Sequence, residues 1–170
     1  MRRFALAAAV ALLAAGCGTT RTLTRTVTVS PPLAGSAVQD LYGHIVSLTP
    51  TTTGYLLRFD PAWWLGGVAA NVAAAQDEHV SCAPASCAPV PNDYYVVDES
   101  HRALTFVVPR GVRGTVLTSG SNLAGTQIGV GQLARIVAGN GVKLFEPLES
   151  GIWIRVRIDT VLTFRQQYRP

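Results

Sequence analysis

Phe59-Asp60-Pro61-Ala62-Trp63-Trp64-Leu65 is the stretch on which the reading of the fold turns. Asp60 has a side chain that accepts from the free N–H groups of a helix start, and Pro61, with its fixed φ and missing N–H, suits the first helical position. Phe59, just before that cap, can pack on Trp64 as a hydrophobic staple. Leu65, Val68, Ala69, Val72 and Ala73 then recur at i, i+3, i+4, i+7 and i+8, one apolar stripe. The residues predict a helix that starts at Asp60 and ends near Asp77. Gly66-Gly67 weakens it by ~1 kcal/mol per glycine, which suits close contact with a neighbouring element.

Upstream, 41–48 and 55–59 read as two strands joined by Thr-Pro-Thr-Thr-Thr-Gly, which has the residues of a hairpin connection. Downstream, 79–92 reads as a loop with prolines at 84, 89 and 91. The runs 94–97 and 103–108 read as a second hairpin around 98–102, with Leu104, Phe106 and Val108 on its core face. A short strand is expected at 115–118 and a Gly/Ser/Asn-rich loop over 119–129. Val130, Leu133, Ile136 and Val137 mark a short helix stopped by Gly139-Asn140-Gly141. The last pair is 152–158 and 161–164, where Ile152, Ile154, Val156 and Ile158 alternate with Trp153, Arg155 and Arg157. The order predicts a single α+β domain: a curled, mainly antiparallel sheet of about seven strands with two short helices.

The N-terminus reads differently. Arg2-Arg3 precede an apolar run from Phe4 to Ala15, and Gly16 precedes Cys17. As a helix that run rises only ~18 Å, short of the ~30 Å hydrocarbon core, so it reads as a signal peptide and not a membrane span. Phe4 directly after the arginines lacks the spacing of a twin-arginine signal, so general secretion is expected. The expected organisation is a signal peptide over 1–16, a Thr/Pro-rich tether over 17–39, and a globular domain over 40–170. In the tether, threonines at 22, 24, 26 and 28 alternate with Arg21, Leu23, Arg25 and Val27 and run into Pro31-Pro32, which suits a solvated spacer.

Loss of Arg2 and Arg3 takes the formal charge from +4 to +2. Such a balance gives no electrostatic footprint for nucleic acid, and no nucleic-acid partner is expected. The chain has 3 cysteines, an odd count. Cys82 and Cys87 enclose four residues of a turn-rich loop and, outside a reducing compartment, are expected to bond to each other. That leaves Cys17 to be explained.

Leu12-Leu13-Ala14-Ala15-Gly16-Cys17 resembles the lipobox of bacterial lipoproteins. The resemblance implies a diacylglycerol on Cys17 and cleavage just before it. Ala14-x-Gly16 also suits ordinary signal cleavage with release of a soluble chain; the odd cysteine favours the anchor. The implied location is extracytoplasmic, with the membrane as partner through the lipid on Cys17. Over roughly 41–170, the blocks 59–65, 91–102 (Pro-Asn-Asp-Tyr-Tyr-Val-Val-Asp-Glu-Ser-His-Arg) and 166–170 (Gln-Gln-Tyr-Arg-Pro) resemble uncharacterised exported proteins of high-GC Gram-positive bacteria. That resemblance implies no catalytic residues.

Asn92, Asp93, Asp98, Glu99 and His101 form the densest polar cluster. A carboxylate pair beside an imidazole suits a divalent ion or acid–base chemistry, but adjacent residues of a turn point apart and turn chemistry explains them as well. Histidines at 44, 79 and 101 lack metal spacing, and Ser100-His101 is no nucleophile arrangement. Gly129-Val-Gly131 lacks the third glycine of a phosphate loop. Trp63 is a candidate exposed anchor, and Trp153 with Arg155 and Arg157 a candidate patch for anionic or sugar-like ligands. The expectation is a non-enzymatic envelope lipoprotein without cofactor or metal, a domain that binds an envelope protein or glycan or serves as an accessory that positions a partner. The alternative is a tethered hydrolase or metal-dependent enzyme using Asp93, Asp98, Glu99 and His101.

Overall fold

The computed structural model describes residues 37–99, 102–120 and 123–169. The readings that fall on 1–36, Cys17 and most of the tether among them, and on Ser100 and His101 lie outside the described residues; the last two residues of the expected tether, Val38 and Gln39, belong to the first strand. Within them are eight strands and two α-helices: β1 (Val38–Pro50), β2 (Gly54–Gly66), α1 (Gly67–Asp77), β3 (Tyr94–Val97), β4 (Leu104–Pro109), β5 (Arg113–Val116), β6 (Thr126–Gly129), α2 (Val130–Val137), β7 (Ile152–Arg157) and β8 (Thr160–Gln166). An α+β class fits, with sheet dominant.

The expected hairpin at 41–59 exists but is longer at both ends. β1 and β2 pair antiparallel from Tyr42↔Ala62 to Pro50↔Tyr55, with a bulge between Ile45 and Ser47. The helix expected from Asp60 does not start there: 59–65 stays in β2, and α1 begins at Gly67, where φ is +55. The Asp-Pro cap is local chemistry, and strand pairing on both sides overrides it. Pro61 lies opposite Gly43, while Trp63–Gly66 pair with β3. Alternation then explains what the staple was invoked for. Phe59 is fully buried in the barrel, Trp63 is 39% exposed and Trp64 is half-buried, because neighbours on a strand face opposite ways. The helix ends at Asp77 as expected, but its buried residues are Ala70, Ala73 and Ala75, and Val68 is exposed.

The second expected hairpin is also corrected. β3 and β4 do not pair with each other; both pair antiparallel with one edge of β2, β3 along Trp63–Gly66 and β4 along Gly54–Phe59. The break between them lies opposite Asp60–Ala62, where Pro61 has no N–H to offer. Residues 126–129, expected as loop, form β6 against β5. β7 and β8 make the expected final hairpin, with Ile152, Ile154 and Val156 buried. Ile158 leaves the core alternation: it sits in the turn at φ +58 and is 71% exposed.

The sheet runs β3-β2-β1-β7-β8-β5-β6, with β4 pairing both β2 and β8. β1, β2, β4, β8 and β7 therefore close a five-stranded barrel. The closing seam is narrow and parallel: Val107 pairs with Thr160, and Val107 N–H donates to the Asp159 carbonyl at 2.8 Å. β5 also pairs parallel with β8, so the sheet is mixed. Phe59, Phe106, Val116, Ile128, Val130, Ile152, Ile154, Val161 and Phe164 fill the core. α1 lies against β2 and β3, beside the Cys82–Cys87 disulfide, whose Cα atoms are 5.2 Å apart. Tyr95 ties β3 to the end of α1 by donating to Asp77 Oδ2 at 2.9 Å.

Candidate functional site

The barrel carries a second aromatic cluster on its outer face, because β1 and β2 run past the barrel's end. Tyr42 of β1 faces Ala62 of β2 and Trp153 of β7. Its ring meets Trp64 edge-on at 5.0 Å and Trp153 at 5.2 Å, while Trp64 stacks on Tyr94 of β3 at 4.2 Å with planes 12° apart. Tyr42 is buried and donates its hydroxyl to the Ser150 carbonyl at 2.6 Å; Arg169 Nη1 donates to the same oxygen at 2.9 Å. Burial pushes the Tyr42 hydroxyl pKa up, and the nearby Arg169 pulls the other way. Gly151, at φ +104, is the residue next to this bond, and any Cβ there would collide with the Tyr42 ring. These contacts make the cluster a brace that packs Trp64 and holds the half-buried Trp153 in place at the edge of the trough it lines.

Of the polar cluster read at 92–101, the described carboxylates Asp93, Asp98 and Glu99 belong to no group of three metal-ligating side chains. Asp93 follows Asn92 in a turn with φ of 57 and 61, and both are exposed, as is Glu99. His101 is outside the described residues. Asp98, just after β3, instead meets a residue two strands away: its Oδ2 is 3.2 Å from His44 Nε2 in β1. The pair is at ion-pair distance without hydrogen-bond alignment, since Nε2 is buried and unpartnered in that sense, as is Oδ1 of Asp60, the residue facing His44 across β1 and β2. Among the described residues no group of three His, Cys, Asp or Glu side chains could hold a metal ion. Counting pairs outward from the 51–53 turn finds Asp60 opposite His44 to within the bulge, but only if Asp60 is read as a strand residue.

Two concavities flank this region. The larger, about 870 Å³, lies between β1, α2 and the segment 139–149. Its lining is mixed: apolar side chains come from Ile45 and Val46 of β1, Ile136 and Val137 of α2, and Val142, Leu144 and Phe145 of the segment, and a comparable polar surface includes His44, Lys143 and Glu149. Val46, Val142 and Phe145 are each more than half exposed, large apolar side chains on one rim. The segment is fixed to the barrel. Phe145 N–H donates to the Leu117 carbonyl at 2.7 Å, Ser119 N–H to the Lys143 carbonyl at 3.1 Å, and Gln166 Nε2 to the Glu146 carbonyl at 2.9 Å. Sequence periodicity marked α2 but gave no sign of this groove, because its third wall is irregular chain.

The smaller, about 460 Å³, is a trough on the outer face of β7, β8 and β5. Of the three residues expected there, Trp153 and Arg155 line it and Arg157 does not. Arg113 and Arg165, which the sequence reading missed, replace it. Arg155 is bound to Asp40 of β1 by two bonds, 2.7 and 2.8 Å. That bond holds the Asp40 carboxyl below its ordinary range, and the exposed setting keeps the pair's net worth small. A lowered folded-state pKa contributes stability above the unfolded value, near pH ~4, which is lost as pH falls through the folded value. The Asp40→Asn variant is therefore expected to lose slightly less stability than the parent between about pH 5 and pH 2. Urea unfolding midpoints across that window measure it.

A scan against protein-family models found no match, and searches of curated proteins and of solved structures found none.

Proposed function

We propose that the protein is an extracytoplasmic lipoprotein, held at a membrane by a lipid on Cys17, whose barrel domain binds an envelope component without transforming it. The observation that carries the binding half is the 870 Å³ groove between β1, α2 and 139–149, with Val46, Val142 and Phe145 exposed on its rim. A concave surface lined by aliphatic and aromatic side chains with a few polar groups suits capture of a partner's apolar group. The Cys82–Cys87 bridge supports the address, because such bonds persist outside the reducing cytosol. It also leaves Cys17 as the one cysteine outside a bridge. No helix among the described residues is long and apolar enough to cross a membrane. In this reading the lipid supplies the attachment, since two or more acyl chains at ~0.8 kcal/mol per buried methylene hold stably.

The test is detergent phase partitioning of the full chain with intact mass of each fraction. The parent is expected in the detergent phase at a mass above that of the chain beginning at residue 17, and Cys17→Ser in the aqueous phase at the bare mass. An unmodified, aqueous parent overturns the anchor. For the groove, an environment-sensitive naphthalene dye is expected to bind the parent at one saturable site. Val46→Asp with Phe145→Asp should weaken it at least tenfold, and unchanged dye binding overturns the groove.

A further inference from the structure

The trough on the outer face of β7, β8 and β5 has a ladder order that two local hairpins alone do not produce. Across the strands, Trp153 stands opposite Arg165, and Arg165 opposite Thr115 of β5, which faces Gln127 of β6. One row along, Asp40 stands opposite Arg155, Arg155 opposite Thr163, and the Thr163 hydroxyl donates to the Arg113 carbonyl at 2.8 Å. Directly opposite side chains on one sheet face have Cβ atoms about 5 Å apart, so the indole and the guanidinium groups of Arg113 and Arg165 share one surface.

Charge is unevenly matched on that surface. Arg155 has the Asp40 carboxylate. Among the described residues Arg113 Nη2 donates to the neutral Gln127 Oε1, at 3.4 Å, and Arg165 Nη1 to the neutral Gln167 Oε1, at 3.1 Å. Neither Arg113 nor Arg165 is in salt-bridge contact with a carboxylate among the described residues. Asp40 also lines the trough and acts on Arg165 from a distance, but its two bonds go to Arg155. Three guanidinium groups thus share one carboxylate beside an aromatic wall in a concavity of ligand size. Planar donor pairs match a carboxylate or phosphate, and an indole face packs against the C–H face of a sugar ring. A neutral sugar uses the ring and leaves the charges unmet; a bare oxyanion does the reverse.

We propose that this trough binds an anionic saccharide, an oxyanion carried on a pyranose ring, with Arg113 and Arg165 taking the anion and Trp153 the ring. The site lies on a different face from the apolar groove and does not depend on the anchor. The experiment is calorimetric titration of the detergent-purified full chain at low salt with a galacturonate hexamer, maltohexaose and inorganic phosphate. The galacturonate hexamer is expected to bind saturably, at least tenfold more tightly than either of the others, and to weaken with added salt. Arg113→Gln with Arg165→Gln should lower its affinity at least tenfold. Arg157→Gln, which removes a charge on β7 outside the trough, should change it less than twofold. Both exposed substitutions are checked for an unchanged thermal midpoint. Equal binding of phosphate and galacturonate, or equal losses in the trough and Arg157 variants, overturns the proposal, as does an absence of saturable binding.

Discussion

Gly43→Val is expected to destabilise the domain by about 3 kcal/mol or more, among the largest effects of any single substitution in it. Gly43 sits in β1 opposite Pro61 of β2. A Cβ built there collides with the Asp60 carbonyl oxygen and comes within 2.8 Å of the Pro61 Cα. Both obstacles are backbone, so no rotamer change relieves the overlap and the β1–β2 ladder itself must part. The neighbours in that ladder are Tyr42, which carries the aromatic brace, and His44, which meets Asp98. Gly111→Ala is the control, since nothing lies within 4 Å of a Cβ at that position. It should be neutral or stabilising by a few tenths of a kcal/mol through the unfolded chain. Urea midpoints of the two variants measure the contrast, and a Gly43→Val loss under ~1 kcal/mol would show that the strands can separate there without penalty.

Gly43 also explains why the Asp60 region was misread from sequence. Asp-Pro followed by an apolar 3,4-repeat is what a helix start looks like when only neighbours in the chain are considered. The competing fact is that β1 offers a glycine opposite Pro61, letting a proline sit inside a paired strand, and that fact lives eighteen residues upstream. Elements whose signal is local were legible: the 41–59 hairpin, α2 over Val130–Val137, and the β7–β8 hairpin with its alternating isoleucines. β3 and β4 were found as strands and given the wrong partner, because pairing with a shared third strand leaves no mark between them.

The candidate sites follow the same division. Trp153 and Arg155 share a strand face by alternation, so half of the trough could be read along β7. Arg113 and Arg165 arrive from β5 and β8 through a parallel pairing, which has no turn to announce it. The approach of Asp98 to His44 is legible only once β3 is placed beside β2, and reading 91–102 as one polar cluster points at sequence neighbours instead. Proximity in the chain was a poor guide to proximity in the barrel.

Gln166→Leu is expected to cost about 3 kcal/mol and to disable the apolar groove at the same time. Gln166 is the one buried polar residue of the described core, 3% exposed at the end of β8. Its Oε1 accepts from the buried Leu117 N–H at 2.8 Å, and its Nε2 donates to the Glu146 carbonyl at 2.9 Å. One amide thus links the strand end after β5 to the segment that forms the third wall of the groove. Leucine keeps the volume and the apolar fit but leaves a buried donor unpaired, and each such group costs about 1–3 kcal/mol. The released Glu146 carbonyl can turn to water only if the 142–149 segment moves away from the barrel. Stability and dye binding should therefore fall together in Gln166→Leu, whereas Val46→Asp with Phe145→Asp should lower dye binding with little change in midpoint. A Gln166→Leu protein that unfolds at the parental urea midpoint would mean that neither bond contributes to holding the wall. A destabilised variant that still binds dye at parental affinity would mean that the groove's third wall is held by its other bonds, among them Phe145–Leu117, Ser119–Lys143, the Ser119 hydroxyl to the Leu144 carbonyl and the Arg169 N–H to the Glu146 carboxylate.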